Sequence, residues 1–407
     1  MSSCVYAIAT MDTKGDELAY VKDCLISAGI QVRMVDVGTA APPTVAPDVS
    51  RTEVVGQDTP QKYTDRGAAI AAISRSLTTW LSREHAAGRV SGVIGIGGSG
   101  GTSLISAAMR ALPVGLPKLL VSTVASGNTA PYVDCSDITM MYPVVDVAGL
   151  NVVSRCVLAN AAHAMAGMVR HMTRTQSSRP ALGMTMFGVT TPCVTRVRES
   201  LEAEGFDALV FHATGSGGRA MEKLVESGLI RGVLDITTTE VADEIAGGVF
   251  PAGPARFDTI LDRQIPCVMS LGACDMVNFG AKETVPERYA GRLFHGHNEQ
   301  VTLMRTTPEE NRRIARWIAR KLNQSTGPVT VLIPENGVSM LDAPGQPFFD
   351  READAALFEE LEVQVHQTDQ RRIIRLPHHI NDPEFADHLV KAFLHQETRA
   401  SETSLEA

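Results

Sequence analysis

Aromatic side chains make up only 5% of this chain, with two tryptophans and six tyrosines, so no run of rings is available for bases to stack on. That scarcity argues against a nucleic-acid platform. No Lys/Arg run exceeds two or three residues and the formal net charge is −9, which removes nucleic acid and anionic membrane as expected partners but leaves room for a local phosphate pocket. The expectation is a chain with neither. No apolar run approaches about 18 residues and no basic leader precedes a long apolar core, so the expected compartment is the cytoplasm. Seven cysteines (4, 24, 135, 156, 193, 267 and 274) are scattered without a C-x-x-C pair, which argues against a disulfide framework or a structural zinc site. They read as small buried hydrophobes.

What is present is a chain of 407 residues, 44% apolar, long enough at about 100–200 residues per domain for two or three domains with their own cores. Short apolar runs alternate with helical patterns throughout. Residues 4–9 read as a strand, 10–16 as a turn into a helix that Gly29 closes after residue 27, and 31–36 as a second strand. A polar, proline-bearing stretch at 38–64 reads as an excursion from the core. A helix at 65–84, a strand at 90–94, a strand at 118–122 and a long Ala-rich helix at 151–172 follow, the small residues of the last implying close packing against a sheet or a partner. Residues 173–180 break the periodicity, giving an N-terminal domain at 1–178 and a C-terminal domain at 179–407.

The second half repeats the order of the first: residues 181–213 give strand, polar loop, helix, glycine, strand, as 4–36 do. Further strands at 232–236, 266–270, 329–333 and 372–376 alternate with helices at 308–322, 350–362 and 382–395. This pattern specifies an α/β fold of two Rossmann-like, doubly wound subdomains with mostly parallel sheets. The last dozen residues read as frayed.

Chemistry concentrates where strands end. Residues 95–101 carry five glycines and Ser99, then Thr102 at the start of a helix. Main-chain amides there can approach an anion, and the helix end adds a positive partial charge. Gly97, Gly98, Ser99, Gly100, Gly101 and Thr102 are the expected phosphate contacts; the alternative is that these glycines serve a tight turn. Gly95, Gly97 and Gly100 satisfy the dinucleotide pattern, yet the loop follows the third strand and lacks an acidic residue about 20 positions on, and no Lys-Ser or Lys-Thr follows to make a P-loop. Asp12, Thr13 and Lys14 sit at the end of the first strand, where Lys14 can neutralise phosphate and Asp12 can hold Mg²⁺ through water; a solvated turn with Asp16 as cap is the plainer alternative. Ser126 and Gly127 end a third loop expected to line the same crevice. In the second half, Gly215, Ser216, Gly217, Gly218 and Arg219 form a second candidate anion cradle. Near it lie Thr190, Thr191, the Thr237–Thr239 hydroxyls, which suit a helix cap equally well, and Glu240, a candidate acid–base group. His295 and His297 have metal-like spacing on a strand but no third ligand, so hydrogen-bonded structural roles stand beside the metal reading. No Ser-His-Asp arrangement is evident.

Several long motifs in order, among them residues 9–15, 97–102, 122–129, 183–192, 211–222, 275–280 and 295–298, are similar to the ATP-binding domain family typified by the plant tobamovirus-resistance protein, whose bacterial and fungal members are largely uncharacterised. The resemblance covers nearly the whole chain. It implies two Rossmann-like subdomains, ATP binding and self-association into a homo-oligomer, without a known reaction; Mg²⁺ is expected to accompany the ATP. Three functions are therefore open: a nucleotide-binding protein of small-molecule metabolism; a metal- or acid/base-dependent enzyme on a phosphorylated or carboxylated metabolite; and a nucleotide-regulated partner of a separate TIM-barrel protein, since the plant relative carries a further domain of that kind.

Overall fold

The computed structural model describes residues 3–56, 66–173, 179–251 and 253–406, and the chain divides into two compact units, Met1–Gln176 and Ser177–Ala407. Parts of the 38–64 excursion and of the 173–180 boundary lie outside the described residues.

The N-terminal unit runs β1 (Cys4–Ala9), α1 (Met11–Ser27), β2 (Val32–Asp36), α2 (Arg51–Val55), α3 (Arg66–Ala86), β3 (Val90–Gly97), α4 (Ser99–Arg110), β4 (Lys118–Ser122), α5 (Ala130–Val133), β5 (Thr139–Met141) and α6 (Val152–Arg170). Its parallel sheet has the order β2-β1-β3-β4-β5. Every residue of β1 is buried, because successive side chains enter two different cores. Val5, Ala7 and Ala9 meet Leu18 and Val21 of α1 and Ala161 and Ala162 of α6, whereas Tyr6 and Ile8 meet Leu77 and Trp80 of α3 and Leu104 of α4. The alanines of α6 thus face a sheet, where small side chains let helix and strands approach closely. By length and composition α6 could also cross a membrane, and 33% of its apolar window is buried inside the protein.

The C-terminal unit continues with β6 (Ala181–Met186), α7 (Thr191–Ala203), β7 (Asp207–His212), α8 (Ser216–Glu226), β8 (Gly232–Thr237), α9 (Thr239–Ala246), α10 (Asp258–Asp262) and β9 (Cys267–Gly272). Then come β10 (Met276–Phe279), β11 (Phe294–Asn298), β12 (Val301–Arg305), α11 (Pro308–Leu322), β13 (Val329–Pro334), α12 (Arg351–Gln364), β14 (Arg371–Leu376) and α13 (Pro383–Glu406). A parallel sheet of order β14-β13-β9-β8-β6-β7 forms the centre, with α7 and α13 on one face and α8, α9, α11 and α12 on the other. Both units are therefore α/β with Rossmann-like, mostly parallel sheets and helices on both faces.

Three local readings need correction. The turn expected at residues 10–16 is already helical from Met11, broken only where Lys14 leaves helical geometry (φ −136°, ψ 24°). The frayed tail is instead the continuation of α13 to Glu406, because neither glycine nor proline follows His395 to stop the helix. Finally, β10, β12 and β11 make a separate antiparallel sheet, formed from short strands whose polar residues gave no clean alternation.

Candidate functional site

In the N-terminal sheet the order reverses between β1 and β3: the chain leaves β1 into α1 on one face and leaves β3 into α4 on the other. The two connections diverge and leave a crevice at the carboxyl ends, which is where open α/β sheets take their ligands. A cavity of about 650 Å³ sits there. Thr10, Asp12, Thr13 and Lys14 line it from the first connection, and Gly98, Ser99, Gly100 and Gly101 from the second. Ile70 of α3 and Leu104 of α4 supply an apolar wall.

The glycines of this loop divide by what they do. A Cβ on Gly97 would lie 2.5 Å from the Thr102 amide nitrogen and 2.7 Å from the Gly101 carbonyl carbon, so the turn itself admits only glycine. Thr102 is buried outside the cavity lining, its Oγ1 2.6 Å from Ser122 Oγ and 3.3 Å from the Gly97 carbonyl, which ties α4 to β3 and β4. Gly98 and Gly101 are different. The nearest atoms to a Cβ there are 3.9 and 3.8 Å away, so packing does not require glycine at either position. Gly98 occupies the N-cap position of α4 without any side-chain cap, leaving the first-turn amides of Ser99, Gly100 and Gly101 without an intrahelical acceptor. A phosphate oxygen matches that requirement.

The charged groups are partly committed. Lys14 Nζ donates to the Val147 carbonyl, which holds the ammonium at the cavity wall. Asp12 Oδ2 accepts from the amides of Thr39 (3.2 Å) and Ala40 (2.9 Å), fixing the chain after β2 beside the site. Asp146, exposed, adds a carboxylate that the sequence reading did not single out, because it lies far along the chain with no motif around it. Ser126 and Gly127 are exposed at the end of a 3-10 turn, Thr123–Ser126, and lie outside this cavity's lining.

The second glycine loop follows β7, the edge strand of its sheet, rather than a point of reversal. Its amides already hold an anion. Glu240 Oε1 accepts from Gly215 N (2.8 Å) and Gly218 N (3.1 Å), while Glu240 Oε2 accepts from Arg256 Nε at 2.9 Å. A Cβ on Gly218 would lie 2.2 Å from Glu240 Oε2, so glycine is required for that carboxylate to enter. Arg256, 2% exposed, also meets Glu222 at 3.1 Å and Asp235 at 2.7 Å, and Thr185 Oγ1 donates to Asp235 at 2.7 Å. Burial pushes the Asp235 and Glu222 carboxyls up, with the Arg256 charge opposing. Burial also works against the Arg256 charge, yet the three carboxylates outweigh it and hold its proton more tightly than usual. Ser216 and Gly217 complete the loop, and Arg219 Nη1 reaches the Pro251 carbonyl at 3.4 Å. Glu240 is thereby an internal ligand of the loop, fully buried against its amides and Arg256.

His295 lies on β11 with its ring 6.2 Å from that of Phe348. His297 stands at the bulge between Gly296 and Asn298 and is exposed. Among the described residues no group of three or more His, Cys, Asp or Glu side chains is placed to hold a metal ion.

Residues 3–174 match the N-terminal domain model, and residues 179–396 the C-terminal domain model, of the uncharacterised protein family UPF0261. A UPF0261 protein from Rhizobium meliloti (strain 1021) is 56% identical over 394 residues, covering 96% of this chain and 98% of the relative. The ToMV resistance protein Tm-1 of Solanum lycopersicum is 48% identical over 418 residues, covering 96% of this chain but 55% of the plant protein. Among solved structures, the glycosyltransferase SnogD from Streptomyces nogalater is matched over 97% of this chain and 100% of that one, at 10% identity and a TM-score of 0.22. A likeness that low says nothing about activity.

Proposed function

This chain belongs to the UPF0261 family, and from that premise we propose that it is a cytoplasmic nucleotide-binding protein of small-molecule metabolism that holds ATP with Mg²⁺ in the cavity between β1 and β3. The observation that carries the reading is the pairing of three uncapped first-turn amides, Ser99, Gly100 and Gly101, with two glycines, Gly98 and Gly101, that packing does not demand. A site built for close backbone approach to a ligand has both features. In this reading the amides bind phosphate oxygens and Lys14 places a positive charge beside them. Asp12 and Asp146 accept waters of the Mg²⁺ shell, the form in which that ion usually meets protein carboxylates. The apolar wall of Ile70 and Leu104 seats the less polar end of the ligand.

Titration calorimetry tests the proposal directly. Wild type should give saturable heat with Mg·ATP, and Gly98→Ala/Gly101→Ala should bind at least tenfold more weakly, about 1.4 kcal/mol, with a melting temperature within a few degrees of wild type. No saturable heat in wild type, or undiminished affinity in the folded double variant, would sink it.

The additional length of the plant relative motivates a second reading, in which the nucleotide is a conformational ligand and the chain serves a separate TIM-barrel enzyme. Full activity of the isolated chain on a metabolite would remove that reading.

A further inference from the structure

A second cluster lies at the carboxyl edge of the C-terminal sheet, apart from the glycine loops. Asp275 follows β9, Asp342 lies in the loop after β13, and both are fully buried. One oxygen of each is accounted for: Ser339 Oγ donates to Asp275 Oδ2 at 2.7 Å, and the Val338 amide to Asp342 Oδ2 at 2.9 Å. The Oδ1 atoms of both have no hydrogen-bond partner. Arg305, at the end of β12, is the cation of the cluster, but it spends itself elsewhere. Its Nη2 meets Asp354 of α12 at 2.6 Å and Asp342 only at 3.8 Å, and its Nε donates to the Phe348 carbonyl at 2.7 Å.

Three buried carboxyl groups around one guanidinium cannot all ionise cheaply, and an ionised buried carboxylate oxygen without a donor is costly. Two unpartnered acceptors from neighbouring acids are resolved by a proton on one of them. We propose that Asp275 keeps a proton in the folded state, and that this buried carboxyl is a pH-sensitive lock on the loop at residues 336–350. The loop hangs on the pair: Val338 donates to Asp342, Leu341 N donates to Ser339 Oγ at 3.0 Å, and Ser339 Oγ donates to Asp275.

The other titratable and charged groups packed around the pair are Arg305 from β12, Asp354 and the cap residue Asp350 from α12, Cys274 beside Asp275, and His379, whose Nε2 lies 2.9 Å from the Ser339 carbonyl. Burial lifts Asp275 to about 7, with the Arg305 charge opposing and the Asp342 charge adding, and lifts Asp354 to about 8 against Arg305. The Cys274 thiol is pushed up by burial to about 12 and stays neutral. The folded state thus keeps protons that the unfolded chain releases near pH 4. The stability this provides is complete below that value and is lost as pH rises through 7 to 8.

The test uses the full chain carrying Trp80→Phe, so that Trp317 alone reports the C-terminal unit. Its melting temperature should fall as pH rises from about 4 toward 8 and level off above that. Asp275→Asn removes the titrating carboxyl while keeping its shape and the oxygen that accepts from Ser339. This variant should flatten the decline by roughly 3–5 °C per pH unit for the proton removed. Asp243, pushed up to about 7 by burial elsewhere in the unit, contributes equally to parent and variant. Parallel curves for parent and the folded Asn variant would overturn the proposal. Should the Asn variant not fold, Ser339→Ala decides: losing the donor to Asp275 tightens the proton's hold and moves the midpoint of the decline upward, and an unmoved midpoint overturns the lock.

Discussion

Replacing Arg256 by methionine should abolish folding of the C-terminal unit while leaving the N-terminal unit intact. Arg256 is the common partner of Glu222, Asp235 and Glu240, and all four side chains are buried. Removing one member of a buried ion pair costs about 3–5 kcal/mol, because the charge left behind has lost its compensation. Here three carboxylates lose it together. Against a total stability of about 5–15 kcal/mol, that loss removes most or all of the margin. Lysine should not rescue, since a point charge cannot serve three acceptors through separate nitrogens of a planar fork. Denaturant unfolding followed through Trp317 measures the effect, and a C-terminal transition within about 1 kcal/mol of wild type would show that the network carries little.

The second large effect separates two adjacent glycines. Gly97→Ala should destabilise the N-terminal unit by about 1–3 kcal/mol or more, since its Cβ would meet backbone atoms of Gly101 and Thr102 that cannot move without unseating α4. Gly98→Ala should stay within about 1 kcal/mol of wild type, the difference between these residues at an N-cap. Under the proposed function its cost falls on nucleotide affinity instead. Chemical denaturation and titration calorimetry on both variants distinguish a loop that is merely a turn from one that is also a cradle. If both variants lose stability equally, the glycines serve the turn alone.

Most of the architecture was legible because buried parallel strands are short apolar runs and their helices carry explicit signals. At α11, Thr307, Pro308 and Glu310 announce the start, and Thr307 Oγ1 indeed accepts from the Glu310 amide while Glu310 Oε2 accepts from Thr307 N. The small antiparallel sheet escaped because His295, His297 and Asn298 interrupt its alternation and a bulge shifts its register. At the site, the loop after β3 was visible from its glycines alone. The occupant of the second loop was not: Glu240 and Arg256 lie well downstream of Gly215, and nothing in linear order says that they fold back onto its amides. Spacing reveals which residues share a helix or strand face, whereas pairings between loops of different strands are set by the order of strands in the sheet.

The seating of Glu240 in the loop after β7 makes the two glycine loops unequal in a way their sequences conceal. A carboxylate attached to the same folded chain competes with any dissolved anion at an effective concentration far above what a metabolite reaches. The loop after β7 thus carries its guest within the fold, so that under the proposed function any response to dissolved phosphate falls to the loop after β3.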